Sequence, residues 1–298
     1  MSLPNSSWPA PSSSSTKPAS GSVSASQNDG QHNRMMMKKT TTTSEALIEA
    51  TLATNPQEHL TDVRIGLGYT AIQLSSGHCG LACLLRHKLD QDTCSLLDHA
   101  GTLTGMKASH AVPLLRTPNV VTASVGLATI NALAAKHLPP PPSDDPPLSD
   151  LLHLTPDDRI AMIGHIEPII QHIKPRVTHL WVFDEAKTHM PGIIPLHRQP
   201  ELLPQCTVAI LSATSILNHT IDALFAMTTQ AREICLMGPS TPLIPAVFQP
   251  RGVTLLAGRQ ITNASKLLQV VSEAGGTRRF KKITKKVNIV LTPEPKKT

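Results

Sequence analysis

The chain has 298 residues, of which 40% are apolar and only 2% aromatic. That apolar content suffices for a buried core and excludes a wholly disordered chain, while seven aromatic rings leave little for single-stranded nucleic acid to stack on. The formal charge of +6 sits at the ends, with four basic and one acidic residue in 1–43, eight basic and one acidic in 278–298, and an acidic balance between them. Nucleic acid is thereby disfavoured as a partner, and the absence of a long uncharged apolar run argues against a membrane span. Five cysteines at irregular spacing do not make a secreted disulfide framework. An opening segment without the apolar stretch of a signal peptide completes the expectation of a cytoplasmic protein.

Residues 1–43, rich in Ser, Pro and Thr, are expected to form a disordered tail. Order begins at Ser44, where Ser-Glu-Ala-Leu-Ile-Glu-Ala reads as a capped helix start. Val63 to Leu74 and Gly80 to Leu85, separated by Ser75-Ser76-Gly77, read as a hairpin. Asn119 to His137 reads as one helix, and the prolines that follow mark an interdomain linker over 139–149. The first domain therefore covers 44–138 and the second 150–277, with 278–298 a basic tail. In the second domain, short apolar runs predict strands at Arg159–Ile163, His179–Phe183, Val208–Ala213, Glu233–Met237 and Val253–Ala257. Glu167–Lys174, Ile216–Met227 and Ala264–Ala274 are the predicted crossover helices, and Ala186 to Pro200 an irregular loop. Such alternation is the pattern of an α/β fold with a parallel sheet.

Ligands of open parallel sheets bind beyond the carboxyl ends of the strands. The residues at those ends are Gly164 and His165, then Asp184, then Thr214, Ser215, Asn218 and Thr220, then Gly238, Pro239, Ser240 and Thr241. One glycine after the first strand is too few for a dinucleotide fingerprint. Asp184 is placed either to hold a ribose hydroxyl or to offer hard oxygen to a cation. Hydroxyls and free amides around Thr214 and Ser215, at a predicted helix start, suit an anion, and capping explains Ser215 equally well. His165 is the histidine placed to act as a ligand or acid/base. No cysteine pair has zinc-site spacing.

These residues carry a resemblance. Ile163-Gly164, Val182-Phe183-Asp184, Ala213-Thr214-Ser215-Ile216-Leu217-Asn218-His219-Thr220 and Gly238-Pro239-Ser240-Thr241-Pro242 are similar to the pattern of the putative heavy-metal chelation family. In the amino half, Ile65-Gly66, Gly80-Leu81-Ala82 and Ser124-Val125-Gly126 through Asn131-Ala132-Leu133 fit the same family. Asp184 stands where the family pattern leads one to expect glutamate, and Thr207 where it leads one to expect aspartate. The resemblance implies a small α+β domain like the enolase amino-terminal fold, followed by a Rossmann-like parallel-sheet domain, with the site in the cleft between them. It implies a divalent metal ion, or a small anionic metal-chelating molecule, as ligand, with Asp184 and His165 as metal ligands. The competing expectation is an enzyme that binds a nucleotide or an S-adenosyl-methionine-like cofactor at the sheet edge. Both readings are compatible with a homo-oligomer.

Overall fold

The computed structural model describes residues 41–89, 95–140, 146–280 and 282–292. The expected amino-terminal tail lies almost wholly outside them, as do residues 141–145 of the expected linker. Thr41 to Thr298 cluster as one compact unit. Its helices are α1 (Thr43–Leu52), α2 (Ala108–Ala111), α3 (Val120–Ala134), α4 (Leu148–Leu151), α5 (Glu167–Ile173), α6 (Gln199–Leu202), α7 (Ile221–Met227), α8 (Pro245–Phe248), α9 (Ala264–Ser272) and α10 (Thr277–Phe280). The strands are β1 (Leu60–Ile65), β2 (Tyr69–Leu74), β3 (Cys79–Cys83), β4 (Arg159–Ile163), β5 (His179–Phe183), β6 (Val208–Ser212), β7 (Glu233–Met237), β8 (Leu255–Ile261) and β9 (Thr284–Val290).

β1, β2 and β3 form an antiparallel sheet, and the other six strands form a sheet in the order β5-β4-β6-β7-β8-β9. Every pairing in the larger sheet is parallel except that of β8 with β9. The α/β class read from the sequence is therefore the observed one, with a mostly parallel sheet. Among the described residues, no helix is long and apolar enough to cross a membrane.

Side-chain alternation explains why the parallel strands read as unbroken apolar runs. Ile160, Met162, Val208, Ile210, Cys235 and Leu255 are buried on one face, and Ala161, Ala209, Leu211, Ile234, Leu236 and Leu256 on the other. Both faces are covered, so the interior positions of β4, β6 and β7 do not alternate between core and solvent. The second of these faces shares one core with α3 and with Ile72, Leu74 and Ala82 of the small sheet. Of the 15 residues of α3, all but Asn131 and Ala134 are buried, so this helix is apolar all round rather than amphipathic. Its buried hydroxyls are satisfied: Ser124 donates to the carbonyl of Val121 at 2.7 Å and bonds the Thr70 hydroxyl of β2 at 2.6 Å, and Thr129 donates to the carbonyl of Val125 at 2.8 Å. Asn119 caps the start, its Oδ1 accepting from the N–H groups of Val121 and Thr122.

Several boundaries differ from the sequence reading for identifiable reasons. The first helix starts two residues earlier, because Thr42 rather than Ser44 is the cap. The run from Val63 to Leu74 is two strands, broken at Gly66 and Gly68, although the Ser75–Gly77 hairpin lies where expected. Ile216–Met227 is not one helix: a 3-10 turn (Ala213–Ile216) is separated from α7 by His219 at φ 56°. α9 leaves the parallel sheet and covers the outer face of the small one, where Leu267, Leu268 and Val271 join Ala71, Cys79 and Leu81. The region beyond residue 277, expected as a basic tail, contains α10 and β9. Val287 and Leu291 supply the apolar anchors that lysine-rich composition masked.

At the amino edge of the large sheet, Thr207 stands in a hydrogen-bonded role. Its hydroxyl donates to Asp158 Oδ1 at 2.6 Å and accepts from the N–H of Arg159 at 3.0 Å. Arg232 meets the other oxygen of Asp158 at 2.6 Å, and the side chain of Asp158 is 4% exposed. Burial alone would raise its pKa, but the hydrogen bonds from Thr207, the Thr155 N–H and Arg232 outweigh burial and hold it below the usual carboxylate range. The ionised form thus contributes stability above the unfolded pKa of about 3.9, and that contribution is lost as pH falls through the lower folded value. Asp158→Asn is expected to cost about 2 kcal/mol at neutral pH and to flatten the acid limb of stability against pH, as read by urea unfolding.

Close approach of α3 to β3 makes a second prediction. A Cβ on Gly80 would lie 2.0 Å from the carbonyl oxygen of Ala128 and 2.3 Å from the backbone nitrogen of Ala132. Gly80→Ala is expected to abolish the cooperative thermal transition, because only backbone movement relieves such contacts.

Candidate functional site

In the large sheet the chain goes from β4 outward to β5, then returns past β4 to β6, so the order reverses between β4 and β6. Crevices at such reversals, beyond the carboxyl ends of the strands, are where open α/β sheets place ligands. Gly164 leaves β4 at φ +95°, and a Cβ there would sit 3.0 Å from the Cβ of Ser212 at the end of β6. Glycine is required by both the conformation and the space. Ser212 ends β6 one residue before the expected strand end, and no motif marks it; its hydroxyl lies 2.8 Å from that of Thr214. Ser215 donates to the carbonyl of Ser212 at 2.7 Å. Thr214 and Ser215 belong to a four-residue 3-10 turn, so the helix dipole expected behind them is lacking.

Asp184 holds this corner together through the backbone. Its Oδ2 accepts from the N–H of His165 at 2.7 Å and its Oδ1 from the N–H of Ala186 at 2.9 Å. Asp184 and His165 are therefore neighbours, but through the amide of His165 and not its imidazole. The imidazole has partners on both sides: Nε2 lies 3.2 Å from Glu167 Oε2, and Nδ1 lies 3.4 Å from Lys187 Nζ. Lys187 also donates to the carbonyl of His165 at 3.0 Å. Lys187 sits in the segment read as an irregular loop, with no motif to mark it, and only tertiary contact reveals it. On the rim, Glu185 pairs with Lys88 and, at 3.4 Å, with His87. Burial works to raise the pKa of Glu185, and the hydrogen bonds from Lys88 and His87 lower it further than burial raises it.

The remaining expected residues are spread apart. Asn218 and Thr220 bond to each other, Thr220 Oγ1 donating to Asn218 Oδ1 at 2.8 Å, and Thr220 is exposed. Gly238 donates its N–H to Ala257, and Thr241 its hydroxyl to the same carbonyl. Ser240, buried, accepts the N–H of Cys83 at 2.8 Å, while its carbonyl accepts from Asn131 Nδ2 at 3.1 Å. Asn131 also donates to the carbonyl of Leu81 at 2.8 Å. The Gly238-Pro239-Ser240-Thr241 loop thus joins the two sheets, and its polar atoms are engaged by the fold.

Among the described residues, no three His, Cys, Asp or Glu side chains gather as a metal cluster would require. The described cysteines are unpaired by disulfide and scattered. Burial pushes the thiols of Cys79 and Cys83 up to about 12 and about 11, so neither offers thiolate at neutral pH.

Residues 147–290 match the family described as putative heavy-metal chelation, and residues 45–134 match a second domain family with the same description. The chain belongs to the putative heavy-metal chelation family. An uncharacterized protein of Methanocaldococcus jannaschii is 25% identical over 170 residues, which are 56% of this chain and 66% of that one. The match thus spans just under two thirds of that relative. A solved family member of unknown function from Pyrococcus horikoshii superposes with a TM-score of 0.72 at 21% identity, over 84% of this chain and 100% of that one. Another from Desulfitobacterium hafniense gives 0.69 at 21%, over 83% and 98%. At such identity these two establish the fold of the family in this chain.

Two changes separate the parts of this arrangement. Asp184→Ala frees two backbone N–H groups of a half-buried corner and is expected to cost about 2 kcal/mol by urea unfolding. Asn131→Ala leaves two carbonyls without their donor at the junction of the sheets; a loss of about 2–3 kcal/mol is expected, and a loss below about 0.5 kcal/mol would remove it as the clamp.

Proposed function

We propose that this protein binds a heavy-metal ion presented as an anionic complex with a small organic chelator, in the crevice beyond β4, β5 and β6. Family membership supports the connection with heavy metals. The observation that carries the anionic form is the environment of His165: the Lys187 ammonium donates to its carbonyl and lies 3.4 Å from its ring Nδ1, while each oxygen of Asp184 accepts a backbone N–H. A bare divalent ion wants several convergent oxygen, nitrogen or sulfur donors, and the His165–Asp184 pair does not converge. A chelator supplies those donors itself and leaves the protein to recognise its negative charge.

In this reading Lys187 neutralises carboxylates of the complex, and the hydrogen-bonded Ser212–Thr214 hydroxyl pair donates to them through the hydrogen not used between the two. Gly164 keeps the floor of the crevice free of a side chain. Asp184 is a positioning residue that holds the two loops in register, and His165 orients Lys187. The crevice binds and shields cargo, and no bond-making step is assigned to it. The nucleotide reading is weaker, since the loop after β4 carries one glycine where a dinucleotide fingerprint needs three.

Titration calorimetry with nickel or zinc citrate, set against the same ions without chelator, tests the proposal. The citrate complex is expected to bind more tightly than the aquo ion, and Lys187→Met to weaken it at least about tenfold. Tighter binding of the aquo ion, unchanged in Lys187→Met, would overturn it.

A further inference from the structure

The carboxyl-terminal basic residues belong to the folded surface, and their arrangement is regular. Arg278 and Arg279 lie on α10, Lys282 follows it, and Lys285 is on β9, all four exposed. Between them, Phe280 is fully buried, and Ile283 and Thr284 are 6% and 3% exposed. Phe280 packs edge-on against Tyr69 with ring centroids 5.0 Å apart. Thr284 donates its hydroxyl to the carbonyl of Phe280 at 3.0 Å. The chain is thus pinned inward at 280, 283 and 284 and displays cations outward at the positions flanking and between them, so their presentation costs little further ordering. Arg278, Arg279, Lys282 and Lys285 form no ion pair with a described residue. From Ala264 to Thr292 the sequence holds one acidic residue, Glu273.

Beside this face stands an exposed aliphatic tip. The β1–β2 turn carries Ile65, 38% exposed, and Leu67, 62% exposed, two of the most exposed large apolar side chains in the described chain. The turn is seated on the same element group: a Cβ on Gly66 would lie 2.1 Å from the carbonyl oxygen of Val271 in α9, and Tyr69, two residues beyond Leu67, is the ring that holds Phe280.

We propose that this face docks on an anionic lipid bilayer, the cations of α10, Lys282 and β9 meeting the headgroups and Leu67 with Ile65 entering the interfacial region. Cations next to a protruding aliphatic tip suit a surface that is charged outside and apolar just beneath. A nucleic-acid backbone offers nothing to a protruding leucine, and the face shows no exposed aromatic ring for bases. The surface is distinct from the crevice, and the docking does not depend on what the crevice binds.

Cosedimentation of the full chain with phosphatidylserine-containing vesicles, against phosphatidylcholine vesicles and duplex DNA or RNA at equal salt, tests this. Binding to the phosphatidylserine vesicles alone is expected, falling as salt rises. Arg278→Glu with Arg279→Glu should weaken it at least about tenfold, since each cation near such a surface contributes several-fold in affinity. Leu67→Ser should weaken it while leaving the salt dependence in place, and circular dichroism should show both variants folded. Binding unaffected by either variant, equal binding to phosphatidylcholine, or a preference for nucleic acid that Arg278→Glu with Arg279→Glu abolishes would each overturn the proposal.

Discussion

The rest of the structure depends on α3 being buried on all sides, with one polar side chain, Asn131, reaching out of it to both sheets. A helix that exposes almost nothing needs cover on every face. The small sheet covers one side, approaching so closely that only Gly80 fits beneath Ala128 and Ala132. The larger sheet joins the same core, and Asn131 links them through the carbonyls of Leu81 and Ser240. Burial of the large side chains Leu127 and Ile130 contributes roughly 1.5–3 kcal/mol each, but such burial is non-directional. The hydrogen bonds of Asn131, together with the Cys83–Ser240 bond, set the registration of one sheet on the other.

That registration divides the strand-end loops into two kinds. The Gly238–Thr241 loop is spent on the junction and has little left to offer a ligand. The loops after β4, β5 and β6 are not so used, and Asp184 ties them to one another instead. In the proposed reading these loops offer hydroxyls, an ammonium and a glycine, chemistry better suited to holding an anion than to caging a naked cation. A family description that speaks of heavy-metal chelation and a structure without a convergent ligand set among its described residues are reconciled if the metal arrives already chelated.

Much of the larger sheet was legible in the sequence. Arg159–Ile163, His179–Phe183 and Glu233–Met237 are strands with the expected bounds, because doubly covered strands write themselves as short apolar runs between polar ones. β9 was not legible: an edge strand needs only a few inward anchors, and Lys285 and Lys286 beside Val287 read as a solvated tail. The break at His219 was equally hidden, since a left-handed residue inside an apolar period leaves no compositional mark. α9 was placed as a helix but not on its surface, because an amphipathic stripe specifies a partner's polarity and not its identity.

Of the candidate site, Gly164, His165 and Asp184 were placed correctly at strand ends, and their relation to one another was not. Sequence by itself determined most strands of the parallel sheet, the α/β class and the polarity of each of their ends, because these follow from hydrophobic period and from turn chemistry acting over a few residues. Only the tertiary structure decided that Asp184 accepts from two backbone amides, that Lys187 meets His165 and Ser212 faces Gly164, and that Ser240 is a joint between sheets. Those roles rest on contacts between residues far apart in the chain, and a contact of that kind is fixed by packing geometry to a fraction of an ångström, which no local pattern encodes.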